Sequence, residues 1–408
     1  MRASKPIRLA VVTETFPPDL NGVAMSLSRL VNGLLEKGHL VDLIRVRPKE
    51  GSDDQMNPRE TNAGLSVTAL RGLPIPAYPQ LKMGLPATKF LADRWKTARP
   101  DVVHIATEGP LGWSALRAAR RLGIPVSSDY RTQFDYYAAH YGMPWLAAPV
   151  GALLRGFHNR SDLTTVPTSA LKHELSARGF RRLRVLGRGV DAQLFDPARR
   201  CDQLRASWSA DPTTPVILCV GRLAAEKNLG LLIKAYESMS SSIPPPKLVL
   251  VGDGPLRDSL AAQCPTAIFA GRQSGVELAR HYASADLFLF PSLSETFGNV
   301  VTESMASGLA TVAFRHAAAA ELIVNGSNGV LIEPTEPDSF VKASRDLAAD
   351  WARCRAMGQL ARQSVAHLDW PAIAEQFEAM IFALIEGEKP AATVLPVSRL
   401  RASGTRAA

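Results

Sequence analysis

The stretch Asp286-Leu-Phe-Leu-Phe290-Pro291-Ser292-Leu-Ser-Glu295-Thr-Phe297-Gly298-Asn299-Val-Val-Thr-Glu303 reads as a short apolar strand, a polar loop and a helix that starts near Phe297-Gly298. The same alternation recurs on both sides of it. Residues 215–220, 247–251, 267–269, 310–313 and 329–332 are further short apolar runs, and 229–239 has helical spacing. Uninterrupted apolar strands that alternate with helices predict a parallel sheet covered on both faces.

The N-terminal half repeats the pattern. A β-type run at 7–12 leads through a Pro/Asp/Asn/Gly-rich loop into Val23–Leu35, whose apolar residues fall at helical spacing before Gly38. Residues 40–46, 101–105, 124–126 and 163–166 complete a second set of strands, and 49–63 reads as a loop. Two Rossmann-like α/β domains follow, 1–190 and 215–369, joined by a Pro-containing linker at 191–214. Residues 338–357 and 370–385 read as terminal helices. The Ala/Arg/Ser/Thr-rich tail 388–408 has no period and is expected to be disordered.

Composition narrows the class. Of 408 residues, 46% are hydrophobic and 21% charged, which excludes whole-chain disorder. No apolar run approaches the ~18–20 residues that span a bilayer. The apolar stretch at 7–12 is too short for a secretory leader, so a cytoplasmic location is expected. Four cysteines without Cys-x-x-Cys spacing are expected to be reduced and structural. The net charge of +9 is uneven: residues 1–200 carry 29 Lys+Arg against 17 Asp+Glu, and residues 201–408 carry 18 against 21. A basic first half suits a polyanionic partner or, more plainly, a solubilising surface.

Ligands of open α/β sheets bind outside the carboxyl ends of the strands, so the loops after strands hold the candidates. After Val220 come Arg222 and Lys227, a planar fork and a mobile point charge that suit a diphosphate, with Glu226 as an alternative salt-bridge partner. After Phe290, Glu295 and Glu303 are eight residues apart. That spacing would put them about 80° apart on one helix. With Glu295 in the loop and Glu303 in the second turn, the N–H groups of Phe297, Gly298 and Asn299 lie between them as an anion cradle. Helix capping and a solvated Glu303 are the plainer reading. Gly252-Asp253-Gly254-Pro255 is a turn whose glycines permit close approach. Phe16-Pro-Pro-Asp19-Leu-Asn21-Gly22 is a weaker loop of the same type.

Taken in order and spacing, Gly221-Arg222-x4-Lys227-Asn228, Val251-Gly-Asp-Gly-Pro255 and Ala285-Asp286-x4-Pro291-Ser292-x2-Glu295-x-Phe297-Gly298-x4-Glu303-x-Met305-Ala306-x-Gly308 resemble glycosyltransferase family 4. Asn21-Gly22, Pro100-Asp101-Val-Val-His104 and Gly189-Val190-Asp191-x3-Phe195 add to the resemblance, which covers residues 7–385. The resemblance implies a GT-B fold, two Rossmann-like domains facing a cleft, with residues 370–386 crossing back to the first domain. It implies a retaining, nucleotide-sugar-dependent transferase of a UDP- or GDP-hexose. Arg222, Lys227 and Glu295 would be its catalytic residues. Asn21, Gly22, Arg131, Gly254, Arg272, Phe297, Gly298, Asn299 and Glu303 would bind the donor, Arg272 near the base and Glu303 at the ribose. The departing phosphate oxygen would help take the acceptor proton, so no obligatory protein base is expected; nor is a cofactor or an obligatory metal. Asp53-Asp54 lacks Asp-x-Asp spacing.

Two runs depart from the family. Tyr130-Arg131-Thr132-Gln133-Phe134 has Arg131 where His is usual, and Arg cannot act as a base. Arg131 either meets the donor, such as one with a carboxylate, or braces Asp129 or Asp135. His316-Ala317-Ala-Ala-Ala320-Glu321 replaces a Gly-rich run. Glu108 and Asp135 are acidic candidates without a decisive motif. The acceptor, a lipid or carbohydrate with a lipid or glycolipid at the inner membrane face as the leading reading, is expected on the first domain. There Lys82–Arg99 and Trp145–Arg160 suit either an anionic membrane surface or a protein core. A soluble sugar or sugar-phosphate acceptor and a sugar-nucleotide epimerase remain as other enzymes of this fold. A basic nucleic-acid-binding protein is the other class, although no nucleic-acid motif or stacking platform appears and no such partner is expected. The first βα turn lacks Gly-x-Gly-x-x-Gly, which disfavours a nicotinamide oxidoreductase.

Overall fold

The computed structural model describes residues 5–19, 21–48, 64–75, 78–131, 144–239 and 244–387. The loop at 49–63 with Asp53-Asp54, the run Thr132–Asp135 and the tail 388–408 lie outside the described residues. The chain divides into two compact units. One runs to Arg188 and includes Trp370–Ile385; the other spans Gly189–Asp369.

The first unit contains β1 (Arg8–Thr13), α1 (Gly22–Glu36), β2 (Leu40–Val46), β3 (Leu65–Leu70), β4 (Gly72–Ile75), β5 (Tyr78–Gly84), α2 (Thr88–Thr97), β6 (Val102–Ile105), α3 (Pro110–Arg121), β7 (Val126–Asp129), α4 (Pro144–His158), β8 (Leu163–Val166), α5 (Ser169–Ala177) and β9 (Leu183–Val185). Seven parallel strands form its sheet in the order β3-β2-β1-β6-β7-β8-β9, and β4 pairs antiparallel with β5 beside it. Asn21 starts α1 by accepting the Ala24 N–H at 2.9 Å, which satisfies one of the helix's orphan donors. The apolar stripe Leu27, Leu30, Val31 and Leu34 then packs on Leu9, Val11, Val41 and Leu43.

The second unit contains α6 (Asp202–Ser207), β10 (Val216–Val220), α7 (Leu229–Glu237), β11 (Lys247–Val251), α8 (Arg257–Gln263), β12 (Ile268–Gly271), α9 (Gly275–Ser284), β13 (Leu287–Phe290), α10 (Asn299–Ala306), β14 (Ala310–Phe314), α11 (Ala317–Leu322), β15 (Val330–Ile332), α12 (Pro337–Ala348) and α13 (Trp351–Val365). Its six parallel strands run β12-β11-β10-β13-β14-β15, so strand order reverses between β10 and β13. Separate apolar clusters cover the two faces of this sheet. The architecture is α/β with two Rossmann-like units.

The structure corrects several expectations. Residues 191–214 are not a free linker. Phe195 and Trp208 are buried in the second unit's core, and fully buried Arg205 donates to the carbonyls of Ser284 (2.7 Å), Asp211 and Thr214 and to Asp286. Residues 338–357 form two helices rather than one, because Asp350 caps α13 by accepting the Arg353 N–H at 2.9 Å. The apolar residues of the basic segments mostly face the core: Leu91 and Trp95 of α2, and Leu154 and Phe157 of α4, are buried, while Phe90 and Leu153 are exposed. Among the described residues no helix is long and apolar enough to cross a membrane. The four cysteines are free thiols, three of them buried.

Helix α14 (Trp370–Ile385) belongs to the first unit. Ile373, Phe377, Met380 and Ile381 enter the core beside α1, and Glu378 accepts Lys37 and pairs with His39, both at 2.8 Å. A Cβ on Gly33 would lie 2.6 Å from the Ala374 Cβ, so the two helices touch backbone to side chain. Gly33→Ala should therefore destabilise the unit: overpacking costs about 1–3 kcal/mol, against about 0.5–1 kcal/mol gained in helix propensity. In a double-mutant cycle with Ala374→Gly, followed by denaturant melts, a coupling of about 1 kcal/mol or more is expected. Zero coupling would contradict this packing.

Candidate active site

At the reversal between β10 and β13, the loops after those strands lie side by side, and the Leu293 N–H donates to the Glu226 carbonyl at 2.9 Å. The Lys227 ammonium forms an ion pair with the Glu295 carboxylate. Ser292 Oγ also donates to Glu295 Oε1 at 3.0 Å. His316 holds the same loop from the β14–α11 side, its Nε2 accepting the Glu295 N–H at 3.1 Å. Lys227 also lies 5.7 Å from the centroid of the Phe290 ring. Arg222, about 40% exposed, extends from the same loop with Nη1 3.9 Å from the buried Glu226. Three sequence-predicted residues, Arg222, Lys227 and Glu295, thus lie on two adjoining loops at the carboxyl ends of the sheet's central strands.

Helix α10 begins beside them. Gly298 takes φ +87°, a left-handed conformation that favours glycine, and caps the helix so that Asn299 heads its first turn. Phe297 is buried, and its carbonyl accepts the Ala318 N–H at 2.7 Å. Glu303 follows in the second turn, where Oε2 accepts the Tyr282 hydroxyl at 2.9 Å. Burial pushes the Glu303 carboxyl up to about 7, and the Tyr282 hydrogen bond only partly opposes it. The Tyr282 hydroxyl is itself pushed well above its ordinary value by burial and by Glu303. The first turn of α10 carries no acidic residue, so the helix's positive end is not neutralised from within.

Other expected residues take different parts. A Cβ on Gly252 would lie 1.9 Å from the Gly221 carbonyl oxygen, and one on Gly254 2.4 Å from that of Leu223. The close approach these glycines permit is therefore between two protein loops, and the Gly254 N–H donates to Asp253 Oδ1 at 2.8 Å. Arg272 is exposed, with Nε 4.0 Å from Asp253. In the first unit Asn21 is occupied as the α1 cap, and Gly22 is the first residue of that helix. Arg131 is buried, pairs with Asp129 at 2.6 Å and donates to Ser26 Oγ at 2.5 Å. Arg188 also reaches Asp129, at 3.3 Å. Burial alone would raise Asp129, but the two guanidiniums outweigh it and hold its carboxyl down to about 2. Burial lowers Arg131 to about 10. The bracing role is the one the geometry shows for Arg131. Glu108 pairs with His158 at 3.1 Å. Tyr282 had no sequence signal, while Ser292 stood inside the motif and His316 at the head of the departing run without a role assigned to either; each acts by holding one of the two motif carboxylates or its loop. Among the described residues no group of three His, Cys, Asp or Glu stands together as metal ligands.

Two family models match the chain: Glycosyltransferase Family 4 over residues 20–194 and Glycosyl transferases group 1 over residues 202–364. A GDP-mannose-dependent alpha-mannosyltransferase of Mycobacterium tuberculosis is 35% identical over 371 residues, 91% of this chain and 95% of the relative. An alpha-monoglucosyldiacylglycerol synthase of Streptococcus pneumoniae is 27% identical over 320 residues, 75% of this chain and 71% of the relative. The crystal structure of Anabaena Alr3699/HepE in complex with UDP and glucose superposes with a TM-score of 0.72 at 18% identity, over 92% of this chain and all of that one, which establishes the shared GT-B fold. The chain belongs to the family 4, group 1 glycosyltransferases. It is a nucleotide-sugar glycosyltransferase.

The Glu303 carboxyl gives the site a pH signature. Raised in the fold, it binds its proton more tightly than in the unfolded chain. Its contribution to stability is therefore complete below about 4.5 and is lost as pH rises through about 7. Glu303→Gln should remove that loss. Between about pH 5 and about pH 8 its unfolding free energy should fall by about 2–3 kcal/mol less than that of the wild type. Denaturant melts at the two pH values measure this, and parallel slopes for the two proteins would contradict it.

Proposed function

We propose that this transferase moves a hexose, with retention of anomeric configuration, from a GDP- or UDP-activated donor to a hydroxyl of a lipid or glycolipid at a membrane surface. The observation that carries the reading is the convergence of Arg222, Lys227, Glu295 and the head of α10 at one strand-order reversal. Open α/β sheets bind nucleotides at that position. The mannosyltransferase relative is named for GDP-mannose and the synthase relative for a diacylglycerol glycolipid, which supports the donor and acceptor classes.

The chemistry follows from charge. As the bond from the anomeric carbon to the phosphate oxygen breaks, negative charge grows on the leaving diphosphate and positive charge on the sugar. Arg222, Lys227 and the N-terminal amides of α10 stabilise the diphosphate without reorganising. Lys227 is pre-oriented by Glu295, which in turn is fixed by Ser292 and His316. Glu303, held by Tyr282, offers a carboxylate to the ribose hydroxyls. The acceptor oxygen bonds to the anomeric carbon on the face the phosphate leaves, and its proton passes to the departing phosphate oxygen. That route needs neither a protein base nor a metal ion.

The test uses radiolabelled GDP-mannose and UDP-glucose with diacylglycerol in phosphatidylglycerol vesicles, with product anomers read by NMR. An α-linked glycolipid is expected from one of the donors, and its rate should survive EDTA. Arg222→Ala and Lys227→Ala should each lower kcat by about 10²–10³. Failure of both donors, a β-linked product, or transfer that EDTA abolishes and magnesium restores would each overturn the corresponding part.

A further inference from the structure

The first unit has a strand-order reversal of its own, between β1 and β6. The loops leaving those two strands carry Glu14 and Glu108. The Glu14 N–H donates to Thr107 Oγ1 at 2.9 Å, which ties one loop to the other. Glu14 Oε1 accepts the N–H of Gly84, at the end of β5, at 3.2 Å and that of Leu111, in the first turn of α3, at 3.3 Å. Oε2 takes no hydrogen bond from any described residue. A Cβ on Gly109 would lie 2.1 Å from Oε2 and 2.2 Å from Oε1, so glycine at that position leaves the carboxyl its place. Glu108, by contrast, is satisfied by His158 at 3.1 Å. The result is a carboxylate fixed through one oxygen, with the other left open, at the crevice where an α/β sheet takes its ligand. Glu14 is half-buried, and a carboxylate oxygen with no donor among the described residues can accept from a ligand hydroxyl.

We propose that Glu14 is the acceptor-recognition residue of this transferase, accepting through Oε2 a hydrogen bond from an acceptor hydroxyl. This rests on the function proposed above and assigns its acceptor side a residue. The arrangement also sets the pH at which that contact operates. Burial first, and then the charge of Glu108, push the Glu14 carboxyl up to about 7 against the two amide hydrogen bonds. Among the described residues, Arg45 of β2 donates to the Phe16 carbonyl of Glu14's own loop at 3.0 Å. Glu108 faces Glu14 from the β6–α3 loop with His158 behind, Arg131 acts on Glu108 from beyond β7, and Asp19 on Glu14's own loop is engaged by the Thr15 hydroxyl at 3.0 Å. The ionised form is the stronger acceptor, so acceptor recognition improves as pH rises through about 7.

The experiment measures transfer to diacylglycerol in phosphatidylglycerol vesicles between about pH 5.5 and about pH 8.5. The donor, GDP-mannose or UDP-glucose, is saturating at every pH, so the profile reports the donor-bound enzyme and the Glu14→Gln variant separates Glu14 from Glu303. Wild-type kcat/KM for the acceptor should climb about 10-fold to a plateau with its midpoint near pH 7. Glu14→Gln keeps an oxygen for the Gly84 and Leu111 amides. It should raise the acceptor KM by about 10-fold or more and flatten the profile, with donor KM unchanged and the melting temperature at about pH 8 no lower than that of the wild type. A flat wild-type profile overturns the proposal without any variant. So does a variant with the wild-type acceptor KM, or one whose donor KM rises equally. A wild type that transfers from neither donor overturns the function itself, and this role with it.

Discussion

The ion pair between Lys227 and Glu295 is the constraint around which the second unit's site is organised. It joins the loops after β10 and β13, the two strands between which the chain reverses its direction of sheet growth. Neither charge is loose. Both side chains are mostly buried, Ser292 and His316 hold the Glu295 end, and the Leu293–Glu226 backbone bond closes the seam at 2.9 Å. Fixing a cation in advance matters because a diphosphate leaving group is stabilised best by charges that need not move to meet it. Gly252 and Gly254 serve the same end, since any side chain there would push the neighbouring loop away.

The first unit meets a related problem with different residues. Asp129, Arg131 and Arg188 form a buried charged group at the carboxyl end of β7, and Arg131 reaches on to Ser26 in α1. Burial of such a group costs desolvation and gives little net stability, but removal of one member strands the others. Its effect is to fix the chain where it leaves the sheet. Arg131, always protonated, therefore takes a framing part at a position where the family often has a titratable ring.

The sequence made the second unit legible because its strands are buried on both faces and appear as uninterrupted apolar runs. The pair Glu295 and Glu303 was legible because the strand, loop and helix around it are each marked locally, down to Gly298 at the helix start. Strands β3, β4 and β5 escaped notice: their described residues are largely exposed or only half-buried and lack a clear apolar period. The three-residue β9 is too short to leave a pattern. The linker-like appearance of 191–214 concealed Arg205, whose side-chain hydrogen bonds all go to residues outside its own helix. Tyr282 and His316 lie outside the motif that contains the carboxylates they hold, and only folding brings them close. Gly254 shows the converse, a motif glycine whose nearest neighbour is the protein's own backbone.

The most direct test of the account is a crystal structure of the chain soaked with GDP or UDP. The account predicts the diphosphate at the β10–β13 reversal, its oxygens within about 3 Å of the Arg222 guanidinium and the Lys227 ammonium, and the ribose hydroxyls against Glu303. A nucleotide bound elsewhere, with no phosphate beside Arg222 or Lys227, would contradict it.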